Sequence, residues 1–267
     1  MIEKSYHFFE KLCEENNIDE EKVKALGLSC SGLIDYKKGI VKYSPQLDWQ
    51  NVPLVEIVQK LFGKPSFLDN DVKMALIGAT FQSNKLINSD VTYLTVGAGV
   101  AAAVMYSGKL VRGTQNASGE IGHSLFSLNG KKCSCGQKGC LSPYISELGL
   151  IQEAKSIYKR DINMTKIIEL FRKNDINARK LIDELTDNMV ITLNNLIYIY
   201  NTEYLLLGGS LFINCPEIFE ISKEKFKKYD YKMFGITPEI IIREYNNNEA
   251  LGAAYVAQNN MINAILS

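Results

Sequence analysis

The chain has 267 residues, of which 46% are hydrophobic and 22% are charged, a composition that excludes disordered, collagen-like and coiled-coil proteins. Thirty basic and thirty acidic residues cancel, so the chain as given has no basic excess for binding nucleic acid or anionic lipid. The longest uncharged apolar stretch, residues 91–106, is too short and too interrupted by glycine to span a bilayer. The N-terminus lacks a signal-peptide pattern, and we therefore expect a cytoplasmic protein without membrane contact.

Helices and strands alternate along the first third of the chain. Hydrophobic spacing, prolines and capping residues predict the bounds of these elements. In chain order they are a helix over 3–16, a short helix over 20–24 capped by Asp19, a strand over 25–30, an extended segment over 40–43, a helix over 53–62, a strand over 66–68 and a helix over 71–81.

Two strands, 92–96 and 100–105, follow and lead into a loop-rich stretch, 107–141. The second half is mainly helical, and its apolar residues recur every three or four positions. The predicted elements are a helix that begins at Ser142, a long helix opened by Asp175 and ending near Tyr200, a strand over 204–207, a strand over 238–243 and a helix over 249–257. Strands alternating with helices predict an α/β fold.

A cluster of metal-ligand residues stands in the loop-rich stretch. His123 is followed after nine residues by Cys133, Cys135 and Cys140, so four ligands fall within 18 residues. Such a set fills all four tetrahedral positions of a zinc ion and leaves none for water, which predicts a structural zinc site. The other interpretation is a loop with incidental thiols.

Two glycine turns are candidate phosphate sites. Gly97 and Gly99 join two predicted strands, where backbone N–H groups can hold a phosphate or the glycines can simply permit a hairpin. Gly208 and Gly209 follow a strand and precede a helix, which is where nucleotides approach the backbone in α/β folds.

Carboxylates supply the candidate catalytic group. Asp69, Asn70 and Asp71 lie between a strand and a helix, where an aspartate can act as a general base or the residues can cap the helix. Glu120 lies three residues before His123, in the loop of the predicted zinc site, and its alternative role is that of a surface carboxylate.

Together these segments resemble the ROK family (repressor, open reading frame, kinase), a branch of the actin-like sugar kinases, over residues 26–255. The most specific match runs from Gly119-Glu-Ile-Gly-His123 to Cys133-Ser-Cys-Gly-Gln-Lys-Gly-Cys140. Supporting segments stand in the family's order, namely Ser31-Gly-Leu-Ile-Asp35, Ser44-Pro-Gln-Leu-Asp-Trp49, Asn70-Asp71, Gly97-Ala-Gly99, Leu207-Gly-Gly209 and Leu251-Gly-Ala-Ala254.

The resemblance implies an α/β fold of the actin-like ATPase (ribonuclease H-like) type, with two domains and a sugar in the cleft between them. The small domain would comprise residues 1–87, with its first strands missing, and would be completed by the last helix, 248–267. The large domain would comprise residues 88–247 and carry a zinc-bearing loop over 119–141. The resemblance further implies a homodimer.

The resemblance also assigns roles to individual residues. Asn70 and Asp71 would hold sugar hydroxyls, with Asp71 as the general base of a kinase, and His123 would both bind zinc and face the sugar. The implied sugar contacts are Ser31, Gly32, Gln46, Asn70, Asp71, Glu120 and His123, the implied ATP contacts are Gly97, Gly99, Gly208 and Gly209, and the implied zinc ligands are His123, Cys133, Cys135 and Cys140.

The sequence departs from the family's kinases where phosphate is bound. The opening Asp-x-Gly-Gly-Thr turn is not present in this chain, and the second turn reads Gly97-Ala-Gly-Val-Ala101, without the usual hydroxyl and third glycine. Ser142, Lys73 and Gln46 stand where the family has Glu, Asn and Asn. Because phosphoryl transfer depends on positioning and charge neutralisation, we expect these losses to slow it by several orders of magnitude.

We therefore expect the sugar-sensing domain of a ROK-type transcriptional repressor, which binds a hexose or related sugar. Contact with DNA would be made only through a domain absent from this chain. The alternative is an ATP-dependent kinase of a hexose or N-acylhexosamine, with Asp71 as general base and Mg-ATP as donor, so that an enzyme is the less favoured expectation. A third interpretation is a degenerate paralogue that binds no sugar.

Overall fold

A computed structural model describes residues 2–229, 235, 239–242 and 248–266. Its helices are α1 (Ile2–Glu15), α2 (Leu54–Phe62), α3 (Asp71–Phe81), α4 (Ser142–Ile145), α5 (Glu147–Tyr158), α6 (Met164–Arg172), α7 (Ile176–Tyr200), α8 (Ser210–Asn214), α9 (Pro216–Phe226) and α10 (Asn248–Leu266). Its strands are β1 (Leu26–Cys30), β2 (Leu33–Asp35), β3 (Ile40–Ser44), β4 (Trp49–Val52), β5 (Ser66–Asn70), β6 (Val91–Val96), β7 (Val100–Tyr106), β8 (Lys109–Leu110), β9 (Tyr204–Gly208) and β10 (Glu239–Ile242). Short 3₁₀ helices lie at Glu20–Lys22 and Ile121–His123.

Most predicted elements are present within a few residues of their expected bounds. The predicted helix over 20–24 is wrong in type, because only a 3₁₀ turn forms at Glu20–Lys22, with Asp19 as its cap. The last helix is longer than predicted and reaches Leu266. Both ends of the strand predicted over 238–243 lie outside the described residues. The sequence did not predict the strands β2, β4 and β8, which are short and lack a clear alternating pattern, or the helices α6 and α9.

The chain divides into two compact units. The first contains the described residues of 1–84, 112–118 and 245–267, and the second contains those of 85–111 and 119–244. The sequence-based boundary lies at 87, and the prediction assigned 112–118 to the larger domain. In the structure, this segment belongs to the first unit.

The first unit is built on two small sheets. Strands β1 and β5 pair in parallel, and β2, β3 and β4 form an antiparallel sheet. Apolar side chains from these strands and from α2 form its core. Helix α1 adds an aromatic contact, since the rings of Tyr6 and Phe9 lie 5.1 and 5.5 Å from the ring of Phe62.

Helix α10 packs so closely against α3 and β1 that its backbone is in contact with theirs. A Cβ atom on Gly252 would lie 1.9 Å from the carbonyl oxygen of Met74, and one on Gly78 would lie 2.0 Å from that of Asn248. A Cβ on Gly27 in β1 would lie 2.0 Å from the carbonyl oxygen of Ala253. Glycine is therefore required at these three positions for α10 to pack against α3 and β1.

The second unit contains a mixed sheet whose described strands have the order β10-β9-β6-β7-β8. Strands β6, β9 and β10 are parallel, whereas β6, β7 and β8 are antiparallel. Helix α7 begins after Asp175, whose carboxylate accepts the N–H groups of Asn177 and Ala178 as an N-cap. The predicted apolar face of α7 is confirmed, because its residues from Ala178 to Leu196 are buried in the core of this unit.

Helices long and apolar enough to cross a membrane are not found among the described residues. The longest of the described helices, α7, exposes charged residues such as Asp183 and Asp187 together with apolar residues such as Ile191 and Ile199.

We predict that Gly252→Ala lowers the free energy of unfolding by about 2 kcal/mol, because the added methyl group collides with the backbone of α3. Chemical denaturation measures the change. Gly99→Ala is the matched control, since a Cβ there meets no atom within 4 Å, and its effect should stay within about 0.5 kcal/mol. Equal stability of Gly252→Ala and the wild type would contradict the close packing of α10 on α3.

Candidate functional site

Two glycines place the segment around His123 against strand β7. Gly119 has a φ of +98°, and a Cβ there would lie 1.9 Å from the carbonyl oxygen of Ala102. A Cβ on Gly122 would lie 2.2 Å from the carbonyl oxygen of Val100. Both glycines of the Gly-Glu-Ile-Gly-His motif are therefore needed for close packing, which leaves the side chains of Glu120 and His123 exposed.

A tight hairpin follows and carries the cysteines. The N–H of Cys133 donates to the carbonyl of Gln137 at 2.8 Å, and the N–H of Gly136 donates back to Cys133 at 3.0 Å. Gly136 and Gly139 have φ values of +90° and +82°, in the left-handed region that glycine adopts readily. The hairpin thus folds the three cysteine side chains toward one point.

The four predicted metal ligands converge in the structure. One ligand atom from each of His123, Cys133, Cys135 and Cys140 lies within 4.8 Å of the others. Cys133 Sγ is 3.6 Å from His123 Nδ1, and the Sγ atoms of Cys135 and Cys140 are 3.7 Å apart. Tetrahedral bonds of about 2.3 Å to sulfur and about 2.0 Å to nitrogen give ligand separations of about 3.8 Å and about 3.5 Å. The cluster therefore fits a tetrahedral metal ion such as zinc.

The thiols of this cluster are not equivalent. Burial, together with the neighbouring thiols, raises the pKa of Cys140 to about 11. A hydrogen bond from the backbone of Gln137 lowers the pKa of the exposed Cys135. Because a metal ion binds thiolates, loading the cluster must release protons, and affinity falls as the pH is lowered.

Parallel pairing of β1 with β5 brings together predicted sugar contacts of the first unit. Cys30 pairs with Asn70 at the carboxyl ends of these strands. Asn70 Nδ2 donates to the carbonyl of Gly32 at 3.2 Å, and the Oγ atoms of Ser31 and Ser44 lie 3.4 Å apart. Gly32 has a φ of +107°, and a Cβ there would meet backbone 2.2 Å away. The Ser31–Gly32 turn is thus fixed beside Asn70.

The remaining predicted sugar contacts are exposed. Gln46 lies in the turn between β3 and β4, two residues after Ser44, in the first unit. Glu120 and His123 belong to the second unit, where Glu120 precedes the 3₁₀ helix of the metal-binding loop and His123 is its last residue.

Asn70 and Asp71 have different roles in the structure. Asn70 is the N-cap of α3, since its Oδ1 accepts the N–H groups of Val72 and Lys73 at 3.1 and 3.2 Å. Asp71 Oδ1 accepts the N–H of Val72 at 2.9 Å. Burial raises the pKa of Asp71, against a smaller opposing effect of backbone hydrogen bonds and of the Lys73 charge. A partly buried carboxylate of raised pKa is an effective proton acceptor or hydrogen-bond acceptor.

A buried charge network next to this pair was missed by sequence analysis. The Asp69 carboxylate accepts from the Asn70 N–H at 2.8 Å, from Asn116 Nδ2 at 2.8 Å and from the Arg112 guanidinium at 2.5 Å. Lys73 Nζ donates to the carbonyl oxygens of Asn116 and Ser118 at 3.0 and 3.1 Å. We call Asp69, Lys73, Arg112 and Asn116 the Asp69 network. A lysine in the first turn of an otherwise apolar helix was the one available signal.

The predicted nucleotide glycines meet within the second unit, where packing accounts for three of them. A Cβ on Gly97 would lie 2.7 Å from Ser210 Oγ, and one on Gly209, which has a φ of +102°, would lie 2.3 Å from the backbone of Val96. A Cβ on Gly208 would lie 2.3 Å from a tyrosine hydroxyl oxygen. Gly99 faces open space. The β6–β7 turn therefore rests on the junction between β9 and α8.

Comparison with known proteins connects the chain to repressors and to sugar kinases. A model of the ROK family matches residues 7–260. A xylose repressor from Caldicellulosiruptor bescii is 32% identical over 200 residues, which are 70% of this chain and 50% of that protein. A glucokinase from Thermotoga maritima is 27% identical over 238 residues, which are 84% of this chain and 75% of that protein.

A solved structure agrees in fold. The ROK hexokinase from Thermus thermophilus superposes with a TM-score of 0.85 and 25% identity, covering 98% of this chain and 87% of that chain. The expected α/β fold of the actin-like ATPase type is thereby confirmed. The chain spans about half the length of the xylose repressor that it matches. The family match covers nearly all of the chain, and the protein belongs to the ROK family.

Proposed function

We propose that this chain is the sugar-sensing domain of a ROK-type transcriptional repressor, with a hexose or a related sugar as its ligand. The observation that carries the proposal is the β6–β7 turn, where Ala98 replaces the hydroxyl of the kinase turn. The N–H of Gly97 donates to the carbonyl of Gly99 at 3.0 Å, so this amide is used within the turn. The turn therefore lacks the side-chain hydroxyl that would donate to a transferring phosphate.

The sugar side of the first unit keeps its polar groups in fixed positions. Asn70 is held by Gly32 and by the first turn of α3, and Asp71 offers a carboxylate beside it. Hydroxyl groups of a sugar require such preorganised acceptors and donors in a partly buried setting. Similarity to a xylose repressor supports a sugar ligand. Glu120 and His123 stay predicted contacts of the same ligand.

A second candidate function is an ATP-dependent kinase of a hexose or N-acylhexosamine. The observation that favours it is Asp71, because burial raises its pKa and makes it a better general base at neutral pH. Similarity to a glucokinase points the same way. In this function, Gly97, Gly99, Gly208 and Gly209 bind the nucleotide of Mg-ATP.

We also propose that the His-Cys cluster holds a structural zinc ion. Three thiolates and one imidazole complete a tetrahedron, so no position is left for a reacting water. If Nδ1 of His123 is the ligand, as its 3.6 Å distance from Cys133 Sγ suggests, Nε2 stays available for a second partner. The ion then fixes the loop that carries Glu120.

The remaining expectations concern the larger assembly. With thirty acidic and thirty basic residues, this chain offers no charge excess for DNA, and we propose that DNA is contacted by a segment outside it. A homodimer and a cytoplasmic location stay predictions from the family resemblance and from the sequence.

We predict that the purified protein contains about one zinc ion per chain and that Cys135→Ser contains almost none after dialysis against a mild chelator. Three ligands hold the ion less tightly than four, and the exposed serine cannot replace a thiolate. Mass spectrometry of the metal content is the measurement. Cys13→Ala removes a cysteine outside the cluster and should keep the wild-type content. A wild-type content in Cys135→Ser would refute the assigned ligand set.

We predict that Asp71→Asn weakens binding of D-xylose or D-glucose at least tenfold, because an amide replaces the anionic acceptor of a sugar hydroxyl. Isothermal titration calorimetry measures the affinity. The variant should be at least as stable as the wild type at pH 7, because a raised pKa means that the ionised carboxylate costs folding free energy above that pKa.

Asp19→Asn is the matched control, since asparagine also caps a helix and the residue lies on the surface. A coupled assay for ADP release with the same sugars distinguishes the two candidate functions. The sensor predicts sugar binding without turnover. Turnover with one sugar, abolished in Asp71→Asn, would establish the kinase instead, and binding of neither sugar would remove the support for both named ligands.

A further inference from the structure

The turn that joins β1 to β2 contains Ser31 and Gly32, two of the predicted sugar contacts. Its backbone conformation is constrained, because Gly32 has a φ of +107° and a Cβ there would lie 2.2 Å from backbone. Two buried asparagines donate hydrogen bonds to carbonyl oxygens of this region. Asn70 Nδ2 donates to that of Gly32 at 3.2 Å, and Asn116 Nδ2 donates to that of Ile34 at 3.3 Å. The turn is therefore held at two carbonyl groups.

The carboxylate of Asp69 connects the two asparagines. Its Oδ1 atom accepts the backbone N–H of Asn70 and an N–H of Asn116 Nδ2, both at 2.8 Å. The hydrogen bonds form a chain between the two carbonyl groups, which the backbone of residues 32–34 closes into a ring. We call its five members the turn ring, namely Gly32, Ile34, Asp69, Asn70 and Asn116. Asp69 is 1% exposed and both asparagines are 6% exposed, so water competes little for these hydrogen bonds.

Arg112 fixes the direction in which the Asn116 amide faces. Arg112 Nη1 donates to Asn116 Oδ1 at 3.0 Å and to the Asp69 carboxylate at 2.5 Å. A guanidinium group has only donors, so it requires the amide oxygen and leaves Asn116 Nδ2 facing Asp69 and Ile34. The guanidinium itself lies over the ring of Tyr36, with 4.0 Å between its carbon and the ring centroid. Arg112 therefore both neutralises the carboxylate and orients the amide.

The backbone of Asn116 is fixed separately from its side chain. Its φ of +59° lies in the left-handed region, which asparagine adopts more readily than most residues. Lys73 Nζ donates to the carbonyl oxygens of Asn116 and Ser118 at 3.0 and 3.1 Å and holds this backbone against α3. The side chain of Asn116 can therefore be removed while these two backbone contacts are kept.

We propose that Asn116 is a positioning residue for the sugar site, which holds the Ser31–Gly32 turn beside Asn70 by closing the turn ring. The sugar-binding part of this inference rests on the proposed function. Both N–H groups of the Asn116 amide are donated within the turn ring, and its oxygen accepts from Arg112. Asn116 therefore acts through the turn and does not itself contact the sugar. A ligand that must first order its site binds more weakly than one that meets a preformed site.

Asn116→Gly opens the turn ring at one residue. Glycine adopts a positive φ readily, and the hydrogen bond from Lys73 to the backbone carbonyl is kept. The fold should also tolerate the change because Asp69 remains paired with Arg112. We expect the amides of residues 31–34 to exchange with solvent about tenfold faster in this variant, because two hydrogen bonds of the turn ring are lost. Unchanged exchange there would overturn the proposal.

Asn17→Gly is the matched control, since Asn17 is exposed in the same unit with a φ of +54°, and it should leave exchange of residues 31–34 unchanged. The wild type provides a second measurement that does not depend on the folding of a variant. NMR of the side-chain amides should show the Nδ2 hydrogens of Asn116 exchanging at least about tenfold more slowly than those of Asn17. Equal rates would show that the turn ring does not form and would also overturn the proposal.

Isothermal titration calorimetry with D-xylose and D-glucose connects the turn ring to the sugar. Asn116→Gly should weaken binding at least about threefold, at a temperature at which circular dichroism shows both proteins fully folded. A merely structural role of Asn116 would lower the midpoint of thermal unfolding but leave the affinity of the folded protein unchanged.

The outcomes separate this inference from the proposed function. Faster exchange of residues 31–34 without weaker sugar binding would overturn the positioning role of Asn116 alone. Absence of sugar binding in the wild type would overturn the proposed function and, with it, the sugar-binding part of this inference. The exchange results do not depend on a ligand and test the turn ring in either case.

Discussion

The buried carboxylate of Asp69 is the group on which the arrangement of the first unit depends. It is 1% exposed, and its charge is compensated by Arg112 and Asn116, which reach it from a distant part of the sequence, and by the N–H of Asn70. The requirement draws segment 112–118 into the first unit and sets it beside α3. The same junction carries Asn70 and Asp71, so the compensation of one buried charge also fixes the proposed sugar contacts. Helix α10 packs closely against α3 at glycine residues, and this packing further stabilises the position of α3.

The second unit is organised by a different constraint, the close approach of backbone to backbone at glycine. Gly119 and Gly122 allow the metal-binding loop to pack closely on β7, and Gly209 allows the β9–α8 junction to pack closely on β6. The three cysteines then lie in a hairpin whose glycines have positive φ, and His123 converges with them from the preceding loop. Neither arrangement requires bond-making chemistry, since a closed ligand set holds a loop and packed glycines hold a sheet.

Local sequence patterns were sufficient for most of the elements and for the metal cluster. The periodic apolar face of α7, the cap at Asp175 and the spacing from His123 to Cys140 all depend on residues close together in the chain. The Asp69 network could not be predicted in this way, because its partners are separated by more than 40 residues and their pairing depends on tertiary structure. For the same reason, segment 112–118 was assigned to the other domain. The role of Asn70 as a helix cap was one of the alternatives that the sequence offered. The packing role of Gly208 and Gly209 could not be predicted, because it depends on contacts with a strand that is distant in the sequence.

The central claim is that this chain binds a sugar and does not phosphorylate it. Phosphorus-31 NMR of the protein at stoichiometric concentration, with Mg-ATP and saturating D-glucose or D-xylose, tests this most directly, because it detects a sugar phosphate even after a single turnover. The account predicts that the ATP resonances persist for hours and that no sugar phosphate resonance appears. A sugar phosphate formed in the wild type and absent in Asp71→Asn would contradict the account and identify a kinase.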